Sequence, residues 1–166
     1  YENRKISGSS TLRQYYNPAH IWITDISTKK YRQLTFSHEH FIEVSPKWSP
    51  DGSKIAYEEV NVQNSIIRNI WLINPSGASR VQLTNNETQN IGVVWSPDGE
   101  KIAFVQGYPF FKIVIMNVKT KEKIQIPNDT TNLSDFQPSW SPDGKKIAFI
   151  RGDPVSGYGD IWIAIL

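Results

Sequence analysis

The chain has 166 residues, of which 39% are hydrophobic and 20% charged, and a formal net charge of +2. A chain of this length buries roughly 70% of its unfolded surface, so an ordinary core is within reach and intrinsic disorder is excluded. The lack of cysteine excludes disulfides, thiolate chemistry and the common structural zinc sites, and the small charge is no footprint for nucleic acid.

No apolar run approaches the roughly 20 residues that a membrane-spanning helix needs. Nor does an apolar stretch of the signal-peptide kind follow the first residues, Tyr1 to Ser10. Taken in chain order, the first recognisable elements are Ile21-Trp22-Ile23 and then Arg32-Gln33-Leu34-Thr35. Next comes Trp48-Ser49-Pro50-Asp51-Gly52, followed by Lys54-Ile55-Ala56-Tyr57. The whole series then recurs. Ile70-Trp71-Leu72, Val81-Gln82-Leu83-Thr84, Trp95-Ser96-Pro97-Asp98-Gly99 and Lys101-Ile102-Ala103-Phe104 follow one another. After them stand Ile113-Val114-Ile115, Ile124-Gln125-Ile126-Pro127, Trp140-Ser141-Pro142-Asp143-Gly144, Lys146-Ile147-Ala148-Phe149 and finally Ile161-Trp162-Ile163.

These elements are strands. Lys-Ile-Ala-Phe alternates with period two, Ile-Trp-Ile is β-branched and aromatic, and no helical period is sustained. Ser-Pro-Asp-Gly is a tight turn, in which Pro presets φ and Gly takes the left-handed conformation. Each repeat reads as strand A ending in Trp, a turn, strand B, a variable loop, strand C, a short turn and strand D. Four antiparallel strands in about 46 residues make one blade of a β-propeller. The tryptophans are expected to pack between blades, and Ala56, Ala103 and Ala148 to lie where blades approach closely.

The fold class is therefore all-β, with about three four-stranded blades in one domain, 1–166. The repeats fall at approximately 1–35, 44–84, 91–127 and 136–166, the first and last being partial. Tyr1-Glu2 matches Tyr57-Glu58, so the chain is expected to open at the end of a strand B and to finish on a strand C. That inventory is 13 strands, fewer than the 4–8 complete blades of a closed ring, and reads as part of a larger propeller. Unpaired edges on the outer blades predict self-association.

Trp-Ser-Pro-Asp-Gly-x-Lys-Ile-Ala-Phe, followed by Ile-Trp-Ile and Gln-Leu-Thr, resembles the TolB-type, WD-repeat-like propeller repeat. The same repeat occurs in tricorn-type proteases and in relatives of prolyl oligopeptidase. The resemblance runs from about Ile21 onward and rests on scaffold residues, so it implies fold more than function. The third copy departs from it at Val114 and at Ile126-Pro127. The resemblance implies a non-catalytic module that binds a protein or peptide in a periplasmic or envelope setting, with the cytoplasm not excluded. Its alternative is a peptidase propeller that gates substrate access, and a third is a small-molecule or saccharide site in the channel, lined by residues such as Lys47, Val94 and Ser139.

No Gly-x-Ser-x-Gly elbow and no Gly-rich phosphate loop is present, so no catalytic residue, cofactor or metal is expected. His38-Glu39-His40 is read as a solvated loop in preference to a metal pair. The variable connections share one face, opposite the uniform turns. The D-to-A connections are placed at 36–46, 85–93 and 128–138, and the B-to-C connections at 58–69, 106–112 and 151–160. His38, His40, Tyr108, Phe110, Phe111, Arg151 and Tyr158 on that face are the candidate partner contacts, because aromatic and Arg side chains dominate binding hot spots. Phe110 and Phe111 have an equal claim to extending strand C and packing. The lysine-rich turn face, with Lys54, Lys101 and Lys146 among others, reads as a solvated surface and not as a nucleic-acid groove.

Overall fold

The Trp-Ser-Pro-Asp-Gly turn is built alike in all three copies. In the first, Gly52 N–H donates to the Ser49 carbonyl at 2.9 Å and Lys54 N–H to Ser49 Oγ at 2.9 Å, while the Ser49 hydroxyl donates to Asp51 Oδ1 at 2.6 Å. The glycines stand at φ of 70°, 72° and 71°, the left-handed region that a Cβ disfavours. Each turn thus closes a hairpin between strands A and B without using the strands' own side chains. The Gln-Leu-Thr element is also scaffold. Thr84 Oγ1 accepts the Ile70 N–H at 2.8 Å, and Thr35 Oγ1 does the same for Ile21 at 2.9 Å. These hydroxyls satisfy the N–H at the head of strand C, which would otherwise be buried unpaired.

The computed structural model describes residues 19–37, 39–85, 88–128 and 132–166. Thirteen strands occur among them. The first blade contributes β1 (Trp22–Asp25) and β2 (Lys30–Gln33). The second is β3 (Phe41–Trp48), β4 (Ile55–Asn61), β5 (Arg68–Ile73) and β6 (Arg80–Gln82). The third is β7 (Gln89–Trp95), β8 (Lys101–Gly107), β9 (Phe111–Asn117) and β10 (Lys123–Gln125). The fourth is β11 (Ser134–Trp140), β12 (Lys146–Gly152) and β13 (Gly159–Ile165). Every sheet is an antiparallel meander in chain order. The match of Tyr1-Glu2 to a strand B lies outside the described residues.

The core lies between blades. Ala56, Ile70 and Leu72 of the second blade meet Ile102, Phe104 and Met116 of the third. Ala103, Val105 and Ile113 on the other side of the third blade meet Ile147 and Phe149 of the fourth. Ile21 and Leu34 cover Ile55 and Tyr57 on the outer side of the second. Each of the larger aliphatic and Phe side chains contributes about 1.5–3 kcal/mol on burial, so the interfaces carry most of the stability.

Strand A bends at the same place in the second, third and fourth blades. The register slips between Val44 and Lys47, Ile91 and Val94, and Phe136 and Ser139. At the slip, Ser45, Gly92 and Gln137 stand at φ of 56°, 67° and 51°. These are bulges, which tighten the local twist of the innermost strand.

Two expectations change. The strands extend into segments expected to be loops, so that Glu58 to Asn61, Gln106, Gly107, Arg151 and Gly152 belong to strand B. Glu59, Gln106 and Arg151 broke the apolar alternation that marks a strand, and each lies opposite a buried polar residue of strand A. The tryptophans also divide. Trp71, Trp95 and Trp140 are partly buried against neighbouring blades, whereas Trp22, Trp48 and Trp162 are 51%, 54% and 47% exposed. Trp95 shows the packed geometry, reaching back to donate its indole N–H to the Lys47 carbonyl of the preceding blade at 3.0 Å. Trp48 has no equivalent strand A before it among the described residues.

Candidate functional site

The variable connections gather on one face because successive loops are tied to each other. Val62 N–H donates to the His40 carbonyl at 2.8 Å, Arg68 N–H to the Thr88 carbonyl at 3.2 Å, and Phe111 N–H to Ser134 Oγ at 3.0 Å. The B-to-C loops of the second and third blades therefore lean on the entry to a strand A.

Below this face runs a row of buried polar pairs. Counting five residues back from each strand-A Trp gives Glu43, Asn90 and Asp135, which are 2%, 0% and 0% exposed. Their cross-strand partners are Glu59, Gln106 and Arg151. Asn90 Oδ1 accepts from Gln106 Nε2 at 2.6 Å. Asp135 takes both Arg151 Nε at 2.7 Å and Arg151 Nη2 at 3.2 Å, a bidentate buried pair. In the second blade both members are acids, and separate partners hold them apart. His20 Nδ1 meets Glu43 Oε2 at 2.8 Å, while Arg80 pairs with Glu59 and stacks 3.9 Å from the Trp71 ring.

Glu58 is another buried acid, 2% exposed, in a column where the other blades carry Val105 and Ile150. Burial pushes its carboxyl above the usual range, and the Gly92 N–H and the Arg68 charge oppose that only in part. Its Oε1 accepts from Gly92 N at 2.8 Å, so the acid ties the second blade to the bulge of the third.

The loop residues separate by exposure. Tyr108 and Phe110 are 58% and 41% exposed in the loop between β8 and β9, and Tyr158 is 83% exposed in the loop before β13. His40 is exposed at φ 80°. Phe111 instead enters β9, where its ring packs 5.7 Å from that of Phe136. Arg151 lies in β12 and is 8% exposed, with its guanidinium on Asp135, the Pro127 carbonyl and the rings of Phe149 and Trp162. It forms the floor of an open hollow of about 330 Å³, whose walls include Leu133, Asp153, Tyr158 and Asp160. His38 lies outside the described residues. Of the channel candidates, Lys47 and Ser139 are exposed, while Val94 packs against the core between the third and fourth blades. Among the described residues no three His, Asp or Glu side chains are grouped to hold a metal.

The family model for the TolB beta propeller domain matches residues 10–156. The chain belongs to the TolB β-propeller family. The fold is shared with TolB from Acinetobacter baumannii, at 24% identity and a TM-score of 0.68, over 90% of this chain and 36% of that one. A putative TolB from Agrobacterium tumefaciens matches at 21% identity and a TM-score of 0.70, over 92% of this chain and 55% of that one. An oligogalacturonate lyase in complex with manganese matches at 23% and 0.67, over 89% and 41%. A prolyl endopeptidase shares the fold at 14% identity and a TM-score of 0.62, over 82% of this chain and 21% of its own. No curated protein matches the chain. The chain thus spans 36% and 55% of the two TolB chains. The polar row went unread in the sequence because its residue types differ between copies, although counting back from each Trp would have exposed it.

Proposed function

We propose that this TolB-type propeller is a non-catalytic module that holds a protein or peptide on its loop face. The observation that carries this reading is the exposure of Tyr108, Phe110 and Tyr158 on loops whose supporting residues are buried and paired. Rigid aromatic groups on a fixed scaffold make contact area at low entropic cost. The same proposal takes in His38 and His40 before β3 and Phe111 at the start of β9, while Arg151 supplies the floor of the hollow beside Tyr158. An envelope setting goes with the TolB likeness and is part of the same proposal.

The test is selection of peptides from a displayed library on the purified chain. The double variant Tyr108→Ala, Tyr158→Ala is expected to lose at least about tenfold in affinity for the selected peptides, the loss of one or two contact side chains, with the melting temperature unchanged. Equal binding by the double variant would reject this face. The second reading, a peptidase propeller that gates access to a separate catalytic domain, is favoured by the fold shared with the prolyl endopeptidase. A hydrolase domain in the complete gene product would decide for it.

A further inference from the structure

The net charge of +2 hides a division of charge between the two faces. Lys54, Lys101, Lys145 and Lys146 stand beside the Ser-Pro-Asp-Gly turns, and Lys119 and Lys121 in the turn between β9 and β10. The aspartates at that end are engaged by the turn serines. On the loop face the balance is reversed. Its described connections hold three Lys or Arg side chains, and two of them are taken up by buried acids: Arg151 by Asp135 at 2.7 Å, and Arg68 beside Glu58 at 3.8 Å. The third, Lys112, donates to the Leu133 carbonyl at 3.5 Å. Glu39, Asp153 and Asp160 form no ion pair among the described residues, and Glu39 and Asp160 are exposed.

These acids adjoin the aromatic side chains. Asp153 and Asp160 stand with Tyr158 around the hollow that Leu133 also walls. Leu133 in turn borders the loop of Tyr108 and Phe110, through Lys112 on its carbonyl and the Phe111 N–H on Ser134. The third blade is packed on both sides by its neighbours, so the exposure of Tyr108 and Phe110 belongs to the loop itself. We propose, resting on the loop-face reading above, that the segment held there is cationic: a stretch of a protein partner rich in Lys and Arg. Its ammonium and guanidinium groups meet unpaired carboxylates at the rim and the π-faces of Tyr108, Phe110 and Tyr158, which attract cations. An acidic segment would face Glu39, Asp153 and Asp160 with the guanidinium groups of Arg68 and Arg151 already engaged by carboxylates. Charge of one sign on this face steers the approach of the partner and rejects segments of the same sign. A second copy of the chain, offering its lysine-rich turn face, is the rival occupant.

Two probes test this: a displayed library of random peptides, and a fluorescein-labelled peptide of alternating Lys and Gly read by anisotropy. Library peptides whose capture is lost on the Tyr108→Ala, Tyr158→Ala variant should carry Lys and Arg at about twice their share of the starting pool or more. The Lys-Gly peptide should bind the wild-type chain at least about fivefold more tightly than the triple variant Glu39→Gln, Asp153→Asn, Asp160→Asn, and that difference should shrink as salt is raised. The triple variant keeps the side-chain shapes and, at residue 153, the acceptor for the Val155 N–H, so its melting temperature should not change. Glu100→Gln, on the turn face, should bind the peptide as the wild type does. Tyrosine-dependent peptides that are neutral or acidic, or a triple variant that binds the Lys-Gly peptide unchanged, would overturn the charge assignment and leave the loop-face reading standing. A library that yields no tyrosine-dependent peptide would overturn both. Light scattering that shows the wild-type chain self-associating at low salt, and the triple variant not, would make a second copy the occupant and overturn the proposal as well.

Discussion

Glu58 and the turn aspartates pull stability in opposite directions with pH. The Glu58 carboxyl is held above its ordinary 4.5 chiefly by burial, so the folded state binds its proton more tightly than the unfolded chain does. Its contribution is fully present below the unfolded value and is lost as pH rises through the higher folded value. Asp51, Asp98 and Asp143 are held low, first by the hydroxyls of Ser49, Ser96 and Ser141 and then by backbone N–H groups. Their contribution is present above the unfolded value of about 3.9 and is lost as pH falls through the folded one. Stability is therefore expected to rise as pH falls toward the unfolded Glu58 value of 4.5 and to drop below about 4. Glu58→Gln removes the rise and leaves the drop. Denaturant titrations across that range check this, and equal slopes between pH 7 and 5 in both proteins would show that Glu58 is not the group responsible.

Within an element, glycine positions that look alike are not. Gly52 stands at φ 70° with nothing within 4 Å of the place a Cβ would take. Gly52→Ala is expected to cost only the left-handed strain, about 1–2 kcal/mol. Gly107 stands at φ 130°, and a Cβ there would lie 2.2 Å from the Phe110 carbonyl oxygen. Gly107→Ala must therefore move the loop that carries Tyr108, and a larger loss is expected together with weakened peptide binding. Equilibrium unfolding of the two variants checks the order. The first glycine was legible in the sequence, since Ser-Pro-Asp-Gly names its own turn, and so were the blades, because their motifs repeat in register. The second was not, because Gln-Gly-Tyr-Pro occurs once and its closeness to Phe110 exists only after β8 and β9 pair. Arg151 shows the same limit. Placed by the motifs in a loop, it lies in a strand, because its burial depends on Asp135 sixteen residues earlier. The bulges at Ser45, Gly92 and Gln137 share no residue type, so only the paired sheet reveals them.

Across the whole molecule, stability is a sum over blades and the interfaces between them, because each blade touches only its neighbours. The third blade has both faces covered, and the central residues of β8 and β9 are buried without interruption from Ile102 to Val105 and from Ile113 to Met116. The first blade is represented by two four-residue strands that are largely exposed, and every residue of β13 but Ala164 is exposed. Opening an end unit breaks one interface, whereas opening the third blade breaks two. Amide exchange should therefore be slowest in β8 and β9, intermediate in β4 and β5, and fastest in β1 and β2. Exchange followed by mass spectrometry checks the order. Uniform protection across all thirteen strands would contradict the gradient and show the blades unfolding as one cooperative unit.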